Sequence, residues 1–123
     1  MNKVQVVSDF WSIMDKHNWE ELASYFSDDA TIYWPNTKEI FSVNQFVIVN
    51  KEYPGSWKIA INTLLEIENQ VVSVVKVSMD KHSFHAISFF AFNVDKITRL
   101  EEYWSEDSSP PIWRKEVLDN EQG

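Results

Sequence analysis

The sequence predicts a single α+β domain, and three patterns along its 123 residues support this fold class. Apolar residues first recur at helical spacing, and from Trp57 onward they alternate with a period of two. The four strands predicted after that point are joined by short polar turns, which is typical of an antiparallel meander. One of them, Phe84–Asn93, is apolar on both faces. We therefore expect helices on one face of a curved, mainly antiparallel sheet, and a second cover on its other face.

Three short helices are predicted before these strands. The first runs from about Lys3 to Lys16. Asn18 followed by Glu21 predicts the cap of a second helix, and Ser42 followed by Gln45 predicts the cap of a third. The apolar residues at helical spacing are, in the first helix, Val4, Val7, Phe10, Trp11 and Met14; in the second, Trp19, Leu22, Ala23 and Phe26; and in the third, Phe46 and Val49.

The strands are predicted from alternation and from the residues that interrupt it. A short strand, Ala30–Trp34, follows Asp28-Asp29 and ends at Pro35, and Pro54-Gly55 marks a turn. The four later strands are predicted at Trp57–Ile67, Val71–Met79, Phe84–Asn93 and Ile97–Trp104. We assign residues 1–104 to the domain and 105–123 to a C-terminal tail, which we expect to follow the surface through Trp113 and then fray.

Composition argues against several classes of protein. The net charge is −8 and the pI is near 4.7, so no basic surface for nucleic acid or anionic lipid is expected. The absence of cysteine excludes disulfides and thiolate chemistry. No apolar run approaches the roughly 20 residues of a membrane span, and no signal peptide is visible. We therefore predict a cytoplasmic protein.

The order of these elements and several short motifs resemble the nuclear transport factor 2-like superfamily, SnoaL-like branch. The resemblance covers about residues 4 to 104. The motifs that carry it are Trp19-Glu20-Glu21-Leu22, Phe26-Ser27-Asp28-Asp29-Ala30, Trp34-Pro35, Trp57 after Pro54-Gly55, Ser88-Phe89-Phe90-Ala91-Phe92 and Glu102-Tyr103-Trp104. The resemblance implies a cone-shaped α+β barrel, in which three N-terminal helices pack on a strongly curved, mainly antiparallel sheet around an internal pocket.

The resemblance also directs attention to groups that are missing. Ketosteroid isomerase, a well-understood enzyme of this superfamily, uses a carboxylate base, a tyrosine and a protonated second acid. Trp34, Phe10 and Ser88 stand at the corresponding positions of this chain. Trp and Phe cannot accept a proton from carbon, so we reject this isomerase chemistry. A relay of Asp, Arg and Asp like that of limonene epoxide hydrolase also lacks support.

One acid remains as a catalytic candidate. SnoaL-like polyketide cyclases place an acid near Glu102, on the last strand. A three-residue loop at Val94–Lys96 would put Glu102 on the same sheet face as Ser88, as the resemblance favours. A loop of two or four residues would instead put there Arg99, Glu101 and Tyr103. Glu102 is then a solvated rim residue, a polar contact in a pocket, or a catalytic acid with a raised pKa.

The expected pocket has mainly apolar walls, in the general form of a small-ligand site. The residues predicted to line it are Phe10, Phe26, Trp34, Val47, Ser88, Phe90, Leu100 and Trp104. The alternative is that these side chains fill the cone as a solid core. No cofactor or metal site is predicted, since the three histidines lie in different elements and no glycine-rich phosphate loop is present.

The outer face of Phe84–Asn93 predicts a homodimer, with a second subunit covering His85, Ile87 and Phe89. Three hypotheses follow for the function. The first is binding of a small hydrophobic or aromatic molecule. The second is an isomerase, cyclase or hydratase that uses Glu102 as acid–base, with Ser88 or Tyr103 orienting the substrate. The third is a dimerisation module with a filled cone.

Overall fold

The computed structural model of the protein describes residues 2–122. Met1 and Gly123, at the outer ends of the predicted domain and tail, lie outside the described residues. The helices are α1 Lys3–Asp15, α2 Trp19–Leu22 with a 3-10 turn at Ala23–Tyr25, α3 Val43–Glu52 and α4 Ile112–Gln122. The strands are β1 Phe26–Trp34, β2 Glu39–Ser42, β3 Lys58–Ile67, β4 Gln70–Met79, β5 His82–Asn93 and β6 Lys96–Glu106.

The six strands form one sheet in the order β2-β1-β6-β5-β4-β3. All neighbours are antiparallel except β1 and β6, which are parallel. The helix α1 packs on β3 and β4, and α3 packs on β1 and β2, so the first three helices enclose one side of a curved sheet. The predicted α+β class and its cone-shaped arrangement are confirmed.

The capping contacts predicted at the N-termini of α2 and α3 are confirmed. The Asn18 side chain accepts a hydrogen bond from the backbone N–H of Glu21 at 3.4 Å and so caps α2. Ser42 and Gln45 form a complete capping box at α3, with reciprocal side chain to backbone bonds of 3.2 and 2.9 Å. These contacts involve residues three apart in the chain, which is why the sequence reveals them. Ala23 differs from the prediction, because its side chain is exposed.

The first two strands differ from the prediction. β1 begins at Phe26 rather than Ala30, because Asp28 and Asp29 lie inside the strand. Both carboxylates are exposed there, and the pairing of β1 with β6 is irregular between Phe26 and Thr31. β2 was not predicted, and it pairs antiparallel with β1. Since β2 has only four residues, alternation within it is too short to indicate a strand.

The turn between β5 and β6 is shorter than the predicted three residues. Asn93 pairs with Lys96, which leaves only Val94 and Asp95 in the turn. A bulge then follows, since Phe92 pairs with Ile97 but Ala91 pairs with Arg99. The residue in between, Thr98, therefore has no partner of its own in β5.

This bulge decides which face of β6 is inside. A two-residue turn alone would have placed Glu101 on the inner face. The extra residue at Thr98 shifts the register by one, so Glu102 lies directly opposite Ser88. The predicted loop length was wrong, and the predicted face of Glu102 is the one observed.

The C-terminal segment also differs from the prediction. It forms the helix α4 after Pro110-Pro111, instead of following the surface and fraying. The Trp113 ring is 60% exposed, so it does not anchor the segment to the domain. Proline is well suited to the position just before a helix, and an i,i+4 ion pair of 2.8 Å between Lys115 and Asp119 stabilises the exposed turn.

The outer face of the sheet carries apolar side chains across neighbouring strands. Ile87 is 43% exposed and pairs with Tyr103 on one side and Val74 on the other. His85 is half-exposed and its imidazole contacts the carboxylate of Asp107. Within residues 2–122, no helix is long and apolar enough to cross a membrane.

Candidate ligand-binding site

A cavity of about 310 Å³ lies among α1, α3, the β1–β2 connection and the inner ends of β3 to β6. Its aromatic lining residues are Trp11, Trp34, Tyr53, Trp57, Phe84 and Trp104. The other lining residues are the aliphatic Met14, Val49, Ile59 and Val77 and the polar Asn36, Thr37, Glu39 and Asn50. The walls are therefore mainly apolar, and four of the six tryptophans of the chain contribute to them.

The structure separates the eight predicted pocket residues into three places. Trp34 and Trp104 line this cavity. Phe26 and Val47 border a second depression, between α2 and α3. The remaining four are fully buried and do not line the cavity; they are Phe10, Ser88, Phe90 and Leu100. The sequence thus identified interior residues, but only two of them face the open space.

Phenylalanine rings fill the rest of the interior. The Phe10 ring packs edge-to-face with Phe90 at 5.2 Å and with Phe26 at 5.9 Å between centroids. Phe26 continues this contact to Phe46, also at 5.9 Å. Edge-to-face contacts of this kind leave no room for a ligand between the rings. We call this cluster of Phe10, Phe26, Phe46 and Phe90 the packed core.

Glu102 is fully buried at the boundary between the packed core and the cavity. Its Oε1 accepts a hydrogen bond of 3.0 Å from Trp34 Nε1, and its Oε2 accepts one of 2.7 Å from Ser88 Oγ. Burial raises the pKa of Glu102 from its usual 4.5 to about 7, although the two hydrogen bonds act in the opposite direction. Glu102 is therefore not a solvated rim residue.

Glu102 does not itself line the cavity. The indole of Trp34 lies in the cavity wall and contacts the carboxylate with its N–H. Both carboxyl oxygens are engaged by protein donors. The second residue proposed to orient a substrate, Tyr103, is on the outer face of the sheet, where its hydroxyl donates to Glu101 at 2.8 Å. Tyr103 therefore cannot orient a molecule in this cavity, and Ser88 can act only through Glu102.

Two other tryptophans of the lining differ in how their N–H groups are used. Trp11 Nε1 donates to the buried Ser73 Oγ at 3.0 Å. Trp104 Nε1 is buried and has no hydrogen-bond partner among the described residues. Its ring lies edge-to-face against Trp34, with centroids 6.0 Å apart.

Several lining residues were not among those predicted. Asn36, Thr37 and Glu39 reach the cavity because the β1–β2 hairpin folds over it, and that hairpin was not recognised in the sequence. Asn36 Oδ1 accepts a bond of 3.1 Å from the backbone N–H of Trp104 and fixes the hairpin there. The sequence signal for this hairpin is Pro35 followed directly by the polar residues Asn36, Thr37 and Lys38, which favour a turn.

The described residues contain no group of three His, Asp or Glu side chains placed to hold a metal ion. The three histidines have different neighbours. His17 stacks on Trp57 at 4.5 Å, whereas His82 and His85 face acidic residues near the end of β6.

Comparison with solved structures identifies the architecture. A candidate ketosteroid isomerase from Kribbella flavida superposes with a TM-score of 0.81 at 21% identity, covering 89% of this chain and 82% of that one. An NTF-2 like protein of unknown function from Burkholderia xenovorans gives 0.80 at 16% identity, with 93% and 91% covered. The chain has the nuclear transport factor 2-like fold. No family model matches the sequence, and no curated protein matches it either.

Enzymes also share this nuclear transport factor 2-like fold. An LEH-like epoxide hydrolase from M. tuberculosis has a TM-score of 0.70 at 11% identity, with 84% of this chain and 82% of that chain covered. Identities this low establish the fold alone. The chemistry of this chain must therefore be argued from its own cavity and its own acid.

Proposed function

We propose that this protein binds a small, mainly apolar molecule with aromatic character in the cavity lined by Trp34 and Trp104. The observation that carries the proposal is the combination of an open volume of about 310 Å³ with mainly apolar walls to which four indole rings contribute. Ligand sites occupy about 300–1,000 Å³ and combine apolar walls with a few polar groups. This volume fits a compact ligand, and it supports binding over the hypothesis of a filled cone.

The close packing of the interior next to the cavity supports the same proposal. Side chains of this chain fill the interior closely around Phe10 and Phe90, with ring centroids 5.2 Å apart. The cavity is not a sealed void, because Asn36, Thr37 and Tyr53 of its lining are exposed. The side chains that fill the neighbouring interior so closely leave this space open to solvent, and a ligand can enter it from there.

Native mass spectrometry of the protein purified from its host tests this proposal. We expect a copurifying small molecule, released on denaturation. Val49→Trp should fill the cavity from the α3 side and abolish its occupancy, whereas Ile40→Trp, at an exposed position of β2 outside the lining, should retain it. Equal occupancy in both variants would argue that the ligand lies elsewhere, and an unoccupied wild-type protein that binds no apolar probe would refute the proposal.

A second candidate function is proton transfer by Glu102 in an isomerase, cyclase or hydratase. The observation that favours it is a buried carboxyl whose pKa is raised to about 7, which suits a general acid or base. The opposing observation is the Trp34 indole between the carboxyl and the cavity. Catalysis would require that indole to move.

Incubation of any copurified molecule with fresh protein separates binding from turnover. An enzyme should convert it, and Glu102→Gln should lose conversion while the molecule still binds. Conversion at the wild-type rate by Glu102→Gln would exclude this residue as the acid, and binding without any conversion supports the first function.

The proposal includes a homodimer formed through the outer sheet face around His85, Ile87 and Phe89. Val72 and Val74 lie opposite Phe89 and Ile87, so the apolar surface is continuous across strands in the middle of the sheet. A second copy carries the same surface, and a twofold arrangement would cover both.

Light scattering tests the dimer at micromolar concentration. Ile87→Glu should yield a monomer, whereas Ile40→Glu, exposed on the distant edge strand β2, should leave the mass unchanged. A monomeric wild-type protein would contradict this part of the proposal. The cytoplasmic location stays a prediction, to be checked by imaging the tagged protein in its host.

A further inference from the structure

The cavity lining is electrically asymmetric. Within the described chain, the only charged residue among its lining residues is Glu39, and neither Lys, Arg nor His contributes. Glu39 is exposed at the rim of the cavity, where Thr37 Oγ1 donates to its Oε1 at 2.6 Å. An anionic ligand would meet a carboxylate and no positive partner.

The apolar part of the lining adds to this asymmetry. The face of an indole ring carries negative electrostatic potential and attracts a cation placed within about 6 Å. Four indoles contribute to the walls, namely Trp11, Trp34, Trp57 and Trp104. Two of them lie next to each other, with Trp34 and Trp104 centroids separated by 6.0 Å. A cation in this space lies among several indole rings, and their attraction offsets part of the free energy of removing it from water.

A neutral occupant would gain nothing from Glu39, whose carboxylate is exposed at the rim of the cavity. A cation beside it is attracted to the carboxylate, and the attraction strengthens as the ligand displaces part of the surrounding water. The overall charge of −8 further raises the local concentration of cations around the protein.

We propose that the cavity selects an organic cation, an ammonium group carrying apolar or aromatic substituents, with indole faces around the charged group and Glu39 as its counter-ion. This inference rests on the proposed ligand-binding function and specifies its ligand class. The ligand places its charge beside Glu39 and its apolar body against the remaining walls.

The test compares two probes of nearly equal shape. Phenyltrimethylammonium carries a permanent charge, and tert-butylbenzene replaces its nitrogen with carbon. Binding of each is followed by quenching of tryptophan fluorescence at constant ionic strength. We expect the cation to bind about tenfold more tightly, mainly through its attraction to Glu39 and with a smaller cation–π contribution from the indole rings.

Two variants assign the preference to its source. Glu39→Gln should remove most of the advantage of the cation and leave the affinity for tert-butylbenzene unchanged. Glu66→Gln, an exposed glutamate on β3 outside the lining, should change neither affinity.

The possible results distinguish this inference from the function on which it rests. Equal binding of both probes, or tighter binding of tert-butylbenzene, overturns the cation and leaves apolar ligand binding intact. A cation advantage that persists in Glu39→Gln overturns the role of that carboxylate. Binding of neither probe counts against the cavity as a ligand site altogether.

Discussion

The packed core and the cavity lie side by side in one interior, but side chains fill the first and leave the second open. In the packed core, Phe10 contacts Phe26 and Phe90 edge-to-face and leaves no space. In the cavity, side chains that include four indole rings surround about 310 Å³ that none of them fills. Most residues of both regions are apolar, so hydrophobicity alone does not explain the difference. The cavity lies where α1, α3 and the β1–β2 hairpin meet over the sheet, and it also has polar residues at its rim.

The two regions also differ in where their polar groups lie. The packed core contains none that is unsatisfied, whereas the cavity wall includes Glu39 at one edge and the unpartnered Nε1 of Trp104. Glu102 lies between the two regions and is held by Ser88 on one side and Trp34 on the other. The polar groups that face a ligand therefore lie on the cavity side of Glu102.

The largest expected effect breaks the packed core itself. Phe90→Ala should lower the free energy of unfolding by about 3–5 kcal/mol, since Phe90 is fully buried and its removal opens a void that the neighbouring rings cannot fill. Urea denaturation measures this loss. Val49→Ala, a smaller truncation at a residue of the cavity wall that is 38% exposed, should cost less than about 1 kcal/mol. Equal losses would show that the Phe90 ring is not closely packed.

The second effect concerns the acid between the regions. Because burial raises the pKa of Glu102 to about 7, the folded protein holds a proton that the unfolded chain releases near 4.5. Stability from this group is fully present below the unfolded pKa and is lost as the pH rises through the folded one. We expect a decrease of about 2–3 kcal/mol between about pH 5 and about pH 8, measured by urea denaturation at each pH.

Variants assign that pH dependence to Glu102. Glu102→Gln cannot titrate, so its unfolding free energy should lack this decrease. Glu101→Gln, one residue earlier on the outer face, should retain it. A pH profile that is identical in wild type and Glu102→Gln would show that the carboxyl is not held protonated.

A smaller effect on stability is expected from the turn between β5 and β6. Val94 has φ +58°, a left-handed conformation that is strained for a β-branched residue. Val94→Gly should raise the free energy of unfolding by about 1 kcal/mol, because glycine adopts this conformation without a Cβ clash. Asp95→Gly, where φ is not positive, should give no such gain. Thermal denaturation of the two variants checks the difference, and a loss of stability in Val94→Gly would contradict it.

The smallest effect is expected outside both regions. Trp113→Ala in α4 should change the free energy of unfolding by less than about 0.5 kcal/mol, because its ring is 60% exposed and covers neither the packed core nor the cavity. The same truncation at Trp11, 1% exposed, provides the contrast in chemical denaturation, with an expected loss of about 3–5 kcal/mol. A large loss for Trp113→Ala would show that α4 stabilises the domain.

Features encoded by nearby residues could be predicted from the sequence. The capping box of Ser42 and Gln45 spans four residues, and β4 and β5 are long apolar stretches between polar turns. Features that depend on one irregular position could not be predicted in this way. β2 is too short to alternate clearly, and the bulge at Thr98 shows only as the odd spacing of the two buried residues Ile97 and Leu100.

The site was predictable only in part for a related reason. Periodicity identifies which side chains point inward, and Trp34, Phe90 and Trp104 all do. It does not show where their volumes fail to add up, because an empty space depends on how several elements meet. Phe90 thus lies in the packed core and Trp104 at the cavity, although both face inward from neighbouring strands.

The bulge at Thr98 bears on how related sequences would be compared. Strand pairing beyond it depends on one surplus residue being taken up locally, between the pair Phe92 with Ile97 and the pair Ala91 with Arg99. A related chain that lacks the residue at Thr98 would keep the same strand pairing beyond this point. Its acid would therefore still point inward. In evolutionary terms, a bulge lets a strand accept a single-residue insertion without exchanging its two faces. An inward carboxylate can thus be inherited through a change in chain length.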